Sequence, residues 1–126
     1  MNKDAEMWIK QAEEDYKSAI LNFKSKVFYV AAFLCQQAVE KALKAVYIYQ
    51  NNKLAPKIHD LTELCRQTKA PEEIILIASK ITSAYIFSRY PGAAPEIPSR
   101  FYDSTLAQEY LEKTKIILEW TKKQLK

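Results

Sequence analysis

The stretch FYVAAFLCQQAVEKALKAVYIYQ, residues Phe28–Gln50, decides the fold of this chain. It contains neither Pro nor Gly, so nothing in it interrupts a long helix. On a period of about 3.6 residues its small side chains form one narrow stripe, which consists of Ala31, Cys35, Ala38, Ala42 and Ala45. Small side chains allow the backbone of a second helix to approach closely. We therefore predict that this helix lies at the centre of a helical bundle.

The opposite face of this helix carries aromatic and polar side chains instead of the usual run of Lys and Glu. Phe33, Glu40 and Tyr47 are spaced by seven residues, the repeat that keeps a row facing a partner helix. Aromatic side chains on an outer face need cover, which either a second subunit or other helices of the same chain can provide. If a second subunit covers this face, the predicted interface residues are Tyr29, Phe33, Glu40 and Tyr47.

The composition predicts one compact helical domain over residues 1–126. The chain has 126 residues, of which 48% are hydrophobic, and this length suits a single core. It holds one Gly and clusters its five Pro in a few loops, whereas an all-β fold needs many turns. We therefore predict an all-α fold.

Hydrophobic periodicity and helix-start signals divide the chain into segments. Asp60 with Glu63 three positions later is typical of a helix start, and Pro71 suits a first helical position. The prediction is an antiparallel up-and-down four-helix bundle with one extra short helix. The long helices are predicted at residues 4–24, 28–50, 71–88 and 104–124, and the short helix at residues 60–66.

The charge distribution does not indicate a nucleic-acid-binding surface. The net charge of +4 comes from 19 basic and 15 acidic residues that are interspersed along the chain. Domains dedicated to duplex binding usually concentrate Lys and Arg on one face. This pattern therefore predicts a solvated surface.

Cysteine and histidine usage argues against a metal centre. Cys35 and Cys65 lie in apolar segments without a Cys-x-x-Cys pair, which predicts buried free thiols. His59 is the single histidine, so we expect no zinc site, no other metal and no cofactor; beside Asp60 it is expected to fix the start of the short helix. Free thiols, no export signal and no membrane span together predict a cytoplasmic protein.

The segment RYPGAAPEIPSRFY, Arg89 to Tyr102, is predicted to be the one long irregular stretch, because it holds three of the five Pro and the only Gly. Its Arg residues stand beside aromatic rings, a combination that suits a phosphate and a base or sugar. The predicted ligand-binding residues are Arg89, Tyr90, Arg100, Tyr102, Lys41 and Lys44. The structural alternative is that Arg89 caps helix carboxyl ends or pairs with Glu40, while Tyr90 and Pro91 close the end of the bundle.

Several short pieces of the sequence, taken in order, resemble the HEPN domain. They are Gln36-Gln37-Ala38, Glu40-Lys41, Leu43-Lys44, His59-Asp60-Leu61 and Arg89-Tyr90-Pro91. The resemblance covers roughly residues 5–120. HEPN domains are small helical domains of bacterial and archaeal proteins, often encoded beside a minimal nucleotidyltransferase. The resemblance therefore implies a helical bundle with such a partner.

One departure from the family bears on activity. HEPN ribonucleases carry an Arg that is followed, after four to six residues, by a His at a site between two subunits. After Arg89 those positions hold Ala94, Pro95 and Glu96, and after Arg100 they hold Thr105, Leu106 and Ala107. With no His in either window, the resemblance implies no catalytic residue here. It implies a non-catalytic homodimer that binds a nucleotide, RNA or a nucleotidyltransferase partner in a two-component, toxin–antitoxin-like system.

Two alternatives remain open from the sequence. One is a ribonuclease toxin with a non-standard site at Arg89, Tyr90, Arg100 or Tyr102, although Tyr is a poor base near neutral pH. The other is a structural accessory subunit, in which the aromatic face and the Pro-rich loop serve packing alone.

Overall fold

The computed structural model describes residues 1–126 and contains helices but no strands. In chain order the helices are α1 (Lys3–Lys24), α2 (Phe28–Asn51), α3 (Leu61–Gln67), α4 (Glu72–Ser79), α5 (Ala84–Phe87), α6 (Pro98–Phe101) and α7 (Ser104–Gln124). The predicted all-α fold is confirmed, and α3 corresponds to the predicted extra helix. None of the helices combines the length and the apolarity that crossing a bilayer requires.

Helices α1 and α2 form an antiparallel pair joined by a tight turn. Asn2 caps α1 by accepting the amide of Ala5 at 2.8 Å, so the cap precedes the helix start predicted from the sequence. The Asn2 side chain also donates to the Asn52 side chain at 3.2 Å, which places the start of α1 beside the end of α2. Lys26 in the turn adopts a left-handed backbone, with a φ of 64°. The two helices therefore run in opposite directions along their length.

Helix α2 is the centre of the bundle, as its small stripe predicts. It contacts α1, α3, α5, α6 and α7. Every member of the stripe is at most 1% exposed, namely Ala31, Cys35, Ala38, Ala42 and Ala45. Since these side chains are short, helices on several sides approach the α2 backbone at once.

Helix α7 closes the bundle against α1 and α2. Asp103 caps it by accepting the amide of Leu106 at 2.9 Å. The Tyr16 hydroxyl on α1 donates to the Leu111 carbonyl on α7 at 3.3 Å. Most of the buried apolar side chains form one core between α1, α2, α3, α4 and α7. A smaller cluster around Ala42 fills the space between the start of α1 and the end of α2.

The predicted continuous helix over residues 71–88 is wrong, because a turn divides it into α4 and α5. In the turn the amide of Ile81 bonds to the carbonyl of Ala78, three residues back instead of four. The Thr82 hydroxyl accepts the amide of Leu61, the first residue of α3, at 3.0 Å. This long-range bond satisfies a backbone amide at the start of α3.

The segment between α5 and α7 is irregular apart from α6, as its Pro content predicts. Pro98 occupies the first turn of α6 and is buried. Gly92 has a φ of 88°, a backbone conformation that favours glycine. The segment is thereby fixed against the end of the bundle, next to α2 and α5.

Candidate functional site

Three side chains on α2 and one from the loop before α3 meet in a cluster that we call the polar network: Gln36, Glu40, Lys44 and His59. The spacing of four residues places the α2 side chains on one face. The Glu40 carboxylate, 7% exposed, accepts from the Gln36 Nε2 and from the Lys44 Nζ, each at 3.1 Å. A buried carboxylate is tolerated only when hydrogen bonds and an opposite charge replace water. Both are present here.

His59 is held by three contacts. Its Nδ1 lies 3.1 and 3.2 Å from the two Glu40 oxygens, and its backbone carbonyl accepts from the Gln36 Nε2 at 3.1 Å. Its ring stacks on Tyr85, with 4.0 Å between ring centroids and 13° between planes. Because an ionised carboxylate only accepts, Nδ1 carries the hydrogen in the Glu40 contact. The side chain is 47% exposed, and its Nε2 has no protein partner.

Asp60 places His59 by capping α3. Its carboxylate accepts from the Thr62 amide at 3.0 Å and from the Thr62 hydroxyl at 2.7 Å. Burial alone would raise the pKa of Asp60, but these bonds and one from Thr82 hold the pKa below its ordinary value. Asp60 therefore fixes the start of α3, whereas His59, expected to do so, bonds to α2 instead.

A second ion pair joins α1 to α2 beside the polar network. Asp15 Oδ2 lies 2.6 Å from Lys41 Nζ, with 12% and 23% of the two side chains exposed. Gln37 accepts from Lys41 at 3.1 Å and donates to Gln36 at 2.8 Å. The polar side chains of α2 thus form one connected chain of hydrogen bonds.

Arg89 follows α5 and lies among three aromatic rings; together we call them the Arg89 cluster, which comprises Phe33, Tyr85, Arg89 and Tyr90. The Arg89 Cζ lies 4.2 Å from the Tyr85 ring centroid, 4.9 Å from that of Tyr90 and 5.2 Å from that of Phe33. Its Nε donates to the Tyr85 carbonyl at 2.7 Å. The interpretation that Arg89 caps a helix carboxyl end is confirmed, and Arg89 forms no ion pair with Glu40.

A groove of about 480 Å³, the Arg89 groove, opens beside this cluster. Tyr29 on α2, Arg89 and Pro91 after α5, and residues 97–99 at α6 line it. Its hydrophobic lining residues are Tyr29 and Ile97, which are 36% and 41% exposed, and Ser88 and Ser99 also line it; the neighbouring Tyr90 is 51% exposed. The surface thus combines apolar side chains with one cation.

The structure does not bring the predicted ligand-binding cations into one site. Lys44 is buried in the polar network with 7% of its side chain exposed, and Lys41 is paired with Asp15 on the α1 side. Arg100 lies on α6 with 72% of its side chain exposed, 3.9 Å from Glu96, and does not line the Arg89 groove. Of these four predicted cations only Arg89 reaches the groove.

Tyr102 requires a correction, because it lies in the core. It is 1% exposed and packs its ring edge-on against Phe101 and Tyr110, at centroid distances of 5.0 and 5.7 Å. Burial raises the pKa of Tyr102 far above its ordinary value. A ring in this position has no free face for a ligand, whereas Tyr90 does.

Of the four predicted interface residues, three are at least partly exposed and one is buried. Tyr29 is exposed, and Phe33 and Tyr47 are partly exposed. Glu40 is covered by its own chain, because His59 and Lys44 lie against its carboxylate. Cover from the same chain, the alternative interpretation, therefore applies to the middle of this face.

Sequence reasoning missed the partners of His59. The periodicity of α2 identifies Gln36 and Glu40 as one face but says nothing about what lies against them. The only signal was the joint presence of Glu40-Lys41 and His59-Asp60-Leu61 among the family-like pieces.

The two thiols are buried and free, as predicted. Burial raises the pKa of Cys35 to about 12 and also raises that of Cys65 to about 12. Thiols in this state are neither nucleophiles nor metal ligands near neutral pH. No group of His, Cys, Asp and Glu side chains is arranged to hold a metal ion.

Comparison with known proteins agrees with this fold. The chain matches the HEPN domain family over residues 5–125. It is similar to the crystal structure of TT1696 from Thermus thermophilus, at 28% identity and a TM-score of 0.89, over 99% of this chain and 100% of that one. It is also similar to ST0689, an archaeal HEPN homologue, at 32% identity and a TM-score of 0.84, with the same coverage. No curated protein sequence matches. Because the family match spans nearly all of the chain, this protein belongs to the HEPN domain family.

Proposed function

We propose that this protein is a non-catalytic, homodimeric HEPN subunit that binds a minimal nucleotidyltransferase, with which it acts as a two-component, toxin–antitoxin-like pair. The observation that carries the proposal is the Arg89 groove. An exposed Arg surrounded by Tyr and aliphatic side chains is the combination found at the energetic centres of protein interfaces. The kind of partner comes from the family resemblance.

The surroundings of Arg89 support a binding role over catalysis. In the window where HEPN ribonucleases carry their His, Ala94 and Pro95 offer no acid or base, and Glu96 lies 3.9 Å from Arg100 on α6 and does not line the Arg89 groove. No histidine lines the Arg89 groove. General acid–base cleavage of RNA needs a titratable group within hydrogen-bond reach of the reacting atoms.

The charge of Arg89 is available to a partner. Its Nε is used by the Tyr85 carbonyl, but its terminal amino groups form no hydrogen bond or ion pair in the chain. These groups suit a carboxylate of a partner surface, or a phosphate of a nucleotide that the partner carries. Exposed aromatic side chains at Tyr29 and Tyr90 then supply the apolar contact area.

The test is co-expression with the product of the neighbouring gene, followed by size-exclusion chromatography with light scattering. We expect a homodimer alone and a stable complex with the nucleotidyltransferase. Arg89→Glu should abolish that complex, while Lys3→Glu, the matched charge change at the start of α1, should leave it intact. Circular dichroism would verify that both variants remain folded.

A second variant provides an independent test of the same surface. If Arg89→Glu does not fold, Tyr90→Ala, which truncates a half-exposed ring of the same surface, should weaken the complex on its own. Equal weakening by Arg89→Glu and Lys3→Glu would mean diffuse charge and would overturn the proposal. RNA cleaved by the purified dimer would overturn the non-catalytic role.

A further inference from the structure

We propose that the exposed face of α4 is a contact between two copies of this chain, paired as antiparallel helices about a twofold axis at Leu76. The contact goes beyond the proposed function, because it lies on α4 and α7 and uses neither the Arg89 groove nor the predicted interface residues of α2. It gives the chain a surface for self-association that is separate from the surface that binds the nucleotidyltransferase.

Helix α4 carries an apolar residue at the centre of its exposed face. Ile74 and Ala78, four residues apart, are buried and hold α4 against the core. Leu76 lies on the opposite side of the helix and is 58% exposed. A single exposed leucine is common on protein surfaces and needs no explanation. The surroundings of Leu76 therefore decide whether it belongs to a contact.

The apolar surface continues from α4 onto α7. A groove of about 330 Å³ runs between the two helices, and its apolar lining residues are Ile74, Ile77, Ile116 and Trp120. Ile116 is 46% exposed. Charged side chains from both helices complete the lining. An apolar centre with a charged rim is the usual composition of a protein contact surface.

The charges on this face are placed symmetrically about Leu76. Glu72 precedes Leu76 by four residues and Lys80 follows it by four, so the three side chains form one row along the helix. Lys80 ends α4 and keeps a right-handed helical backbone, which continues the row. Both charged residues are exposed, and neither forms an ion pair within the chain. The row is therefore acidic at one end, apolar in the middle and basic at the other end.

A surface of this kind is complementary to itself. A twofold axis at Leu76 pairs each residue of α4 with the residue equally far on the other side of Leu76. Leu76 then meets its own copy, and Glu72 faces Lys80 of the partner subunit at both ends of the contact. Antiparallel helices also bring the positive end of one macrodipole beside the negative end of the other. Parallel pairing would place Glu72 against its own copy, so the charges favour a second copy in the antiparallel direction.

The same two charges also suit α4 by itself. An acidic residue in the first turn and a cation at the last residue both complement the helix macrodipole. This local role predicts that reversing either charge lowers the stability of the chain. It predicts no recovery of association when two such variants are mixed. The contact between copies and the local role are therefore separable by experiment.

Sedimentation velocity of the full-length protein over a concentration series measures the contact. An eight-residue helix and one groove offer a small area, so association should be weak and should increase with concentration. Leu76→Gln should lower the weight-average mass at high concentration by up to about twofold, because each contact joins two copies. Leu21→Gln is the matched control, since Leu21 is a 63% exposed leucine on α1, and it should associate as the parent protein does. Circular dichroism would verify that both variants remain folded.

Charge reversal tests the pairing itself. Glu72→Lys and Lys80→Glu should each abolish association through this face, because each variant places like charges opposite one another at both ends of the contact. An equal mixture of the two variants should associate as the parent protein does, since every Lys in the mixed pair then faces a Glu. A chain that carries both substitutions should also associate with itself for the same reason.

Three results would overturn the contact. The first is an equal mass for Leu76→Gln and the parent protein at every concentration. The second is a mixture of Glu72→Lys and Lys80→Glu that associates no better than either variant alone, which is the result expected if the two charges only stabilise α4. The third is a Leu76→Gln variant that loses the nucleotidyltransferase complex while the mass of the free protein stays unchanged, which would assign this face to that partner. In all other cases the complex formed through the Arg89 groove should persist, because α4 does not line that groove.

Discussion

Leucine in place of Glu40 should destabilise the fold by about 3 kcal/mol, although it puts an apolar side chain at a buried position. The substitution removes the acceptors for Gln36, Lys44 and His59. It also leaves the Lys44 ammonium, 7% exposed, with no counterion and only the Trp8 ring at 5.7 Å. For a chain of this length the loss corresponds to a fall in melting temperature of about 10 °C.

The double variant Glu40→Leu with Lys44→Met is the informative comparison. Removing both charges avoids an unpaired buried ion, and replacing a buried pair by apolar residues is often close to neutral. We expect the double variant to cost less than either single change, with a coupling energy of about 2 kcal/mol or more. Urea unfolding followed by far-UV circular dichroism measures all four proteins of the cycle.

The matched control is the exposed pair formed by Lys10 and Glu6, with the same spacing and a distance of 2.8 Å. The same substitutions there should show no measurable coupling, because solvent screens exposed charges. Additive effects at Glu40 and Lys44 would refute the reasoning, since they would mean that neither charge depends on the other for its burial.

Three further outcomes test the packing and the thiols. Ala42→Leu should lower the free energy of unfolding by about 1 to 3 kcal/mol, because Ala42 on α2 is fully buried against α1 and α7. Ala93→Leu, at an exposed position, should leave the free energy of unfolding unchanged. Equal melting temperatures for the two variants would contradict the central position of the stripe. Cys35 and Cys65 should react slowly with an aromatic disulfide reagent in the folded protein near pH 8 and fully in urea; fast labelling of the folded protein would contradict their burial. Burial raises the pKa of each thiol to about 12, against roughly 8.5 in the unfolded chain, so the unfolded state binds fewer protons between these two values. The free energy of unfolding should therefore fall as the pH rises above about 9. Cys35→Ala should reduce the slope of this fall, and an unchanged slope would contradict the linkage.

The helices themselves were predictable from the sequence, because their signals are local. The run without Pro or Gly, the apolar periodicity and the small stripe of α2 depend only on residues within a few turns of one another. The same holds for the irregular segment after Arg89, where Pro removes backbone donors. These features led to an all-α bundle with α2 at its centre, and the structure has that arrangement.

The arrangement of the candidate site depended on contacts between segments far apart in the chain. The sequence places Lys44 and Glu40 at a spacing typical of an exposed pair, yet both are buried because Trp8 and His59 lie against them. Tyr102 looked like a loop residue and is part of the core.

What the sequence determined by itself was therefore the set of helices and their inward faces, since backbone hydrogen bonding and hydrophobic periodicity are short-range properties. The tertiary structure alone decided where a regular helix breaks and which polar groups meet. Thr82 accepts the amide of Leu61 at the break between α4 and α5, and His59 contacts Glu40 where the chain entering α3 packs on α2. In both cases a polar group that leaves water is paired with a group distant in sequence, which a short-range sequence pattern does not specify.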